Sequence, residues 1–206
     1  MNPVLGLTAI VAASLFIFQV SCSTGTPEEK KEAAPEKTEL TNEELRSKGQ
    51  YLATVSGCHD CHSPKKFGPM GPFLDSTRLL SGHPANDPLP PIDVKALQPG
   101  HWILFASDLT SAVGPWGISY AANLTPDSAT GIGSWDEATF VKTLRTGKHL
   151  GMDNGRPILP PMPWQSIATM TDEDLKALYT FFRSVPAISN RVPGPVPPNE
   201  VAPMAK

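Results

Sequence analysis

The chain has 206 residues, 40% of them hydrophobic and 18% charged, with a formal net charge of −3. That suffices for one globular domain and leaves no basic footprint for a nucleic acid. Twenty-three prolines limit regular helix and imply extended connections, and an odd set of three cysteines, at 22, 58 and 61, calls for an explanation other than a disulfide framework.

Residues 4–20 form an uncharged run of 17 that ends at Ser21-Cys22. A cysteine directly after a small residue resembles the lipobox of a lipoprotein signal, which makes Cys22 the expected lipidation site. An uncleaved transmembrane anchor, for which the run sits at the short limit, and an ordinary cleaved signal are the other two readings. Gln19 and the uncharged Met1-Asn2-Pro3 depart from the usual patterns. All three readings export the domain to the periplasm or cell exterior, and the first two anchor it to a membrane. Residues 23–40 carry five Glu, three Lys and almost nothing apolar, which predicts a disordered charged tether. As a flexible coil it spans about 23 Å root-mean-square.

The folded domain is expected over 41–188. Thr41-Asn42-Glu43-Glu44 is a capping box, followed at helical spacing by Leu45, Gly49, Leu52 and Val55 or Ser56. Gly49 inside a helix predicts close approach of another element. The helix ends at Gly57, directly before Cys58-His59-Asp60-Cys61-His62. This is C-x-x-C-H, the attachment signature of a covalent c-type haem. Thiols three positions apart lie about one helical turn apart, so both reach the two vinyl groups on one porphyrin edge. The next histidine then offers a nitrogen to the iron. A zinc site would need four ligands and a second cysteine pair is absent; a thioredoxin-like pair would need a βαβ context that is not visible. A helix running into C-x-x-C-H resembles the start of class I cytochromes c, whose haem is attached outside the cytoplasm.

Prolines at 64, 69, 72, 84, 88, 90, 91 and 99 make residues 63–122 read as long and irregular, with turns at Gly68-Pro69 and Gly71-Pro72. The class I resemblance implies that a proline carbonyl here, of Pro69 or Pro72, accepts the hydrogen bond from the ligand histidine's other nitrogen. His101-Trp102-Ile103-Leu104-Phe105 reads as a short strand or a core loop, and His83 and His101 as turn or surface residues. Residues 134–137 form another capping box before a helix that uses Ala138, Val141 and Leu144 and stops at Gly147. Asn123-Leu124-Thr125-Pro126-Asp127, with Thr130-Gly131-Ile132-Gly133-Ser134-Trp135, is similar to a segment of the cytochrome c subunits of bacterial alcohol, aldehyde and gluconate dehydrogenases. That resemblance implies a loop lining the haem pocket. A single C-x-x-C-H implies one haem.

An electron carrier needs a second axial ligand, and a methionine thioether favours Fe(II). Of the six methionines, Met1 is the initiator, Met204 lies in the tail, Met70 is only eight residues from His62, and Met170 precedes a third capping box at 171–174. Met162, in Pro160-Pro161-Met162-Pro163-Trp164, is held in a stiff segment before the last helix, and the family resemblance includes this match. Met162 is therefore the expected axial ligand, with Met152, His149 and His101 as alternatives. The last helix runs from Asp172 to about Val185 with Leu175, Leu178, Tyr179 and Phe182 on one face. Gly49 is expected to receive Leu178, Tyr179 or Phe182. Residues 189–206 form a proline-rich tail, expected to be extended chain that wraps the domain.

The fold expected is mainly α: a class I cytochrome c-like helical domain around one haem, with a long proline-rich irregular insert. Cys58 and Cys61 would hold the haem, His62 and Met162 would ligate its iron, and His59 and Asp60 would be spacers. The function expected is single-electron transfer between redox partners such as a dehydrogenase, an oxidase or another cytochrome. The chain would then be the electron-accepting subunit of an oxidoreductase and no enzyme itself. Lys65 and Lys66 read as a solvated surface, with a docking patch as the other reading. The alternative is a haem-based ligand sensor or peroxidase-like enzyme with a labile sixth ligand.

Overall fold

The computed structural model describes residues 39–201. The expectations for residues 4–20, Cys22, residues 23–38 and Met204 fall outside the described residues. No helix of the described residues is long and apolar enough to cross a membrane.

Two capped helices form the frame. Thr41 caps α1 (Asn42–Val55): its hydroxyl accepts the Glu44 N–H at 3.3 Å, and the Glu44 carboxylate accepts the Thr41 N–H at 2.8 Å. Thr171 and Asp174 repeat this exchange at the start of α5 (Asp172–Ser184). α1 buries Leu45, Gly49 and Ala53, and α5 buries Leu175, Ala177, Leu178, Phe181 and Phe182. Their pairing is the most extensive between any two elements described. They meet at Gly49, where an added Cβ would overlap the Ala177 carbonyl and lie 2.7 Å from the Phe181 Cβ. This corrects the expected partner: Tyr179 and Phe182 turn instead toward Phe140, with ring centroids at 5.6 and 6.0 Å. Lys48 ties the crossing with ion pairs of 2.7 Å to both Glu173 and Asp174.

Phe140 belongs to α3 (Glu137–Thr146), which ends at Gly147 as expected. Its cap is not Ser134 but Asp136, whose carboxylate accepts the Thr139 N–H at 2.7 Å. Trp135 N–H donates to the Ile132 carbonyl in a turn, so the helix cannot begin before that turn is complete. Two short helices complete this layer, α2 (Cys58–His62) and α4 (Trp164–Ile167).

The mainly α expectation holds for this layer, and the insert, irregular over much of its length as expected, also carries two small sheets. β1 (Lys65–Gly68) and β2 (Gly71–Leu74) form an antiparallel hairpin. β3 (Leu104–Phe105), β4 (Ser111–Gly114) and β5 (Gly117–Tyr120) form an antiparallel sheet in that order. Prolines exclude long helix here, leaving one 3-10 turn at Val94–Leu97 and room for short strands joined by turns. Ala96, Val113, Ile118 and Val201 make a second small core. The tail closes it: Ile118 and Val196 exchange backbone hydrogen bonds of 2.8 and 3.0 Å, and α6 (Pro198–Val201) buries Val201 completely. Of the two readings of the run 101–105, the short strand holds, at Leu104 and Phe105, and the core loop does not, since Trp102 stays 84% exposed.

Candidate haem site

α2 follows α1 after a turn at Ser56 and Gly57. Cys58 and Cys61 lie one turn apart on it, as free, half-buried thiols. Burial pushes the Cys58 thiol up to about 11 and raises that of Cys61, so both are protonated at neutral pH. His62, next on the same turn, is buried. Its Nδ1–H donates to the Ala122 carbonyl at 2.7 Å. That bond assigns the proton to Nδ1 and leaves the Nε2 lone pair free. Burial lowers the His62 pKa and the Ala122 bond opposes this only in part, so the ring is a neutral imidazole at pH 7. The acceptor is therefore Ala122, not Pro69 or Pro72. Those prolines flank the tip of the β1–β2 hairpin, where Met70 is fully exposed.

Three stretches of chain lock this histidine. The His62 carbonyl accepts the Gly82 N–H at 2.8 Å, the buried Ser63 hydroxyl accepts the Leu80 N–H at 2.8 Å, and Leu80 in turn accepts the Leu124 N–H at 2.8 Å. Gly82 has φ 76, and an added Cβ would lie 2.5 Å from the Ala121 oxygen and 2.7 Å from the Ala122 oxygen. The side chain missing at 82 thus makes room for the carbonyl that holds His62. His59 is more than a spacer, because its Nδ1 lies 2.9 Å from the Ser63 hydroxyl. His83 is not at the surface. It is 3% exposed, its backbone N–H donates to Ala121, and its Nδ1–H donates to the Thr110 hydroxyl at 2.7 Å. That hydroxyl donates to Asp108 at 2.7 Å. His101 is exposed, as expected.

The stretch 123–135 is a self-braced loop. The Asn123 Oδ1 accepts the Thr125 N–H and hydroxyl at 2.9 and 2.7 Å, and the Asp127 carboxylate accepts the Thr130 N–H and hydroxyl at 2.7 and 2.6 Å. The Asn123 amide also donates to the Ile188 carbonyl at 2.8 Å, which fixes the loop to the chain beyond α5. Leu124 and Trp135 from this loop, Cys58 from α2, Leu52 from α1, and Met162 all pack as half-buried side chains against the main core. Met162 and Cys58 thus both pack against the main core. Met152 is 44% exposed, Met170 packs on the core beside Leu175, and the half-buried His149 ring meets the edge of Trp135 with centroids 5.9 Å apart. Lys65 and Lys66 are both engaged within the chain, although Lys66 stays exposed. The Lys65 ammonium donates to the carbonyls of Asp60, Ser63 and Asp108, and Lys66 pairs with the buried Asp75 at 3.1 Å.

This donor set fits a covalently held haem. It provides two protonated thiols one turn apart and a neutral imidazole with Nε2 free and its other nitrogen anchored, while the Met162 thioether packs half-buried against the main core. A structural zinc ion would require convergence of several such ligands. No three His, Cys, Asp or Glu side chains gather in that way among the described residues. A cavity of about 340 Å³ lined by Arg78, Asn86, Asp87 and Arg191 includes none of these donors. Sequence reasoning missed Ala122 and Gly82: a backbone acceptor has no side-chain signature, and its one sequence mark is that it directly precedes Asn123-Leu124.

No family model matches the chain. It is 34% identical over 141 residues to a gluconate 2-dehydrogenase cytochrome c subunit from Pantoea cypripedii, a match covering 68% of this chain and 23% of that protein. It is 28% identical over 141 residues to the cytochrome c subunit of a quinone-dependent alcohol dehydrogenase from Gluconobacter oxydans, covering 68% and 21%. To a fructose dehydrogenase cytochrome subunit from Gluconobacter japonicus it is 28% identical over 135 residues, covering 66% and 20%. The chain therefore spans less than a quarter of each of these relatives. Over about two thirds of its own length, the chain is a relative of the cytochrome c subunits of gluconate, alcohol and fructose dehydrogenases.

Proposed function

We propose that this chain is a single-haem c-type cytochrome that passes electrons between redox partner proteins, serving as the electron-accepting subunit of a dehydrogenase. The observation that carries the reading is the C-x-x-C-H turn with His62 anchored through Nδ1 to Ala122. When bound, the haem supplies a one-electron redox change. Cys58 and Cys61 would hold it by adding each S–H across a vinyl double bond, sulfur to one carbon and hydrogen to the other. His62 would offer Nε2 on one side, with its ring orientation and basicity set by the Ala122 carbonyl. Met162 would offer its thioether on the other side, which favours the reduced iron. Leu52, Leu124 and Trp135 would exclude water from the ring. The names of the relatives support a dehydrogenase as partner. The run at 4–20 and the cysteine at 22 support export, with lipid attachment at Cys22 or an uncleaved anchor holding the domain at a membrane.

The test is an optical spectrum of the purified full chain. Low-spin iron with a methionine-to-ferric charge-transfer band is expected, and Met162→Ala should keep the haem attached, remove the band and lower the reduction potential. High-spin iron that binds carbon monoxide readily in the unaltered chain would instead favour a ligand sensor or peroxidase-like enzyme.

A further inference from the structure

β5 is the last strand of its sheet, paired with β4 on one side and bridged to the tail on the other. Ala112 and Ser119 are register partners on the β4 side, and Ile118 exchanges two backbone hydrogen bonds with Val196 on the other. The strand continues directly into Ala121 and Ala122. Ala121 donates to the Thr110 carbonyl at 2.8 Å and accepts from His83 at 2.9 Å, so this continuation is held from both sides. Its last carbonyl, Ala122, receives the His62 Nδ1–H.

Three residues earlier, the same strand bonds the segment that carries Met162. The buried Ser119 hydroxyl donates to the Pro160 carbonyl at 2.6 Å and accepts the Trp116 indole N–H at 3.1 Å. An indole nitrogen can only donate, so the Ser119 proton is committed to Pro160. Pro160 lies two residues before Met162, at the start of the stiff segment that carries it.

We propose that β5 and the two alanines after it are a single brace between the two axial sides of the haem site, with Ser119 as the positioning residue for the Met162 loop and the Ala122 carbonyl as the positioning group for His62. The proposal rests on the reading of His62 and Met162 as the axial pair. It gives the insert a role: its sheet, closed by the tail at Val196, holds β5 stiff, so that neither ligand can shift without straining the other's support. Ser119 touches neither the haem nor Met162 in this account; it acts through Pro160.

The experiment compares the unaltered full chain with Ser119→Ala, Ser119→Thr and Met162→Ala, all as haem-loaded protein. Three quantities are read: the methionine-to-ferric band, the affinity of the sixth position for free imidazole, and the reduction potential. Losing one hydrogen bond that holds the loop should raise imidazole affinity about five- to tenfold in Ser119→Ala, with a weaker band and a lower potential. Ser119→Thr keeps a hydroxyl and should restore all three. Unchanged imidazole affinity and potential in Ser119→Ala overturn the brace, as does equal damage in the Ala and Thr variants. If Met162→Ala removes the band while Ser119→Ala is silent, the brace alone falls and the axial assignment stands. If Met162→Ala leaves the spectrum unchanged, the axial assignment falls and the brace with it.

Discussion

Gly82→Ala tests the anchoring of His62 most directly. The backbone at 82 has φ 76, a left-handed conformation that costs a side-chain-bearing residue about 1–2 kcal/mol. The new Cβ would sit 2.5 Å from the Ala121 oxygen and 2.7 Å from the Ala122 oxygen, well inside van der Waals contact. Both neighbours are backbone, so relief requires moving the chain, and overpacking of this kind costs about 1–3 kcal/mol. The variant should therefore lose about 3 kcal/mol of stability, read from the midpoint of urea unfolding at unchanged slope. The same displacement pulls the Ala122 carbonyl from the His62 Nδ1–H. A histidine without that acceptor is a weaker donor to the iron, which disfavours the ferric state more than the ferrous. The reduction potential should rise, by up to about 40 mV if the full ~1 kcal/mol of one hydrogen bond distinguishes the two oxidation states. Potentiometric titration with optical detection reads this. Wild-type stability together with a wild-type potential would refute the argument. A loss of stability at unchanged potential would show that the chain yields at Ala121 and spares the histidine's acceptor.

Two further outcomes follow from the packing and charges. Gly49→Ala gains up to about 1 kcal/mol of helix propensity but forces apart α1 and α5 at the Ala177 carbonyl, a cost of about 1–3 kcal/mol, so net destabilisation is expected; a raised melting temperature would contradict the crossing described. Asp75→Asn tests the pH dependence. The buried Asp75 carboxylate accepts from the Thr77 hydroxyl at 2.6 Å and N–H at 3.1 Å and pairs with Arg78 and Lys66, and these bonds hold it well below the ordinary carboxylate range. The unfolded chain then binds the proton more tightly than the folded one. Its stabilisation is complete above about pH 4 and is lost as the pH falls further. The variant should be less stable at neutral pH and lose less on acidification; parallel acid curves for the two proteins would exclude this role.

Much of the frame was legible locally. Thr41 with Glu44 and Thr171 with Asp174 each announce a helix start within four residues, and the buried stripes of α1 and α5 recur at helical spacing. Capping and periodicity are properties of a short stretch of chain, so they survive without tertiary information. The same holds for the C-x-x-C-H turn, whose one-turn spacing the sequence itself displays. The cap of α3 was misplaced by two residues because a turn through Ile132 and Trp135, not propensity, decides where that helix can begin.

The rest depended on pairing between distant segments. Ile118 bonds Val196, Ser119 bonds Pro160, and His62 bonds Ala122, and none of these partners is marked by its own side chain, since in each case the acceptor is a backbone carbonyl. Prolines told that long helix is absent from the insert but not of the two small sheets set within it. His83 reads as a surface residue until Thr110 and Asp108 are brought beside it. The sequence by itself offered the side chains proposed for a haem: two thiols, an imidazole and a thioether. Only the tertiary structure decided what holds them, because every backbone carbonyl is chemically alike and folding alone selects which one meets the histidine.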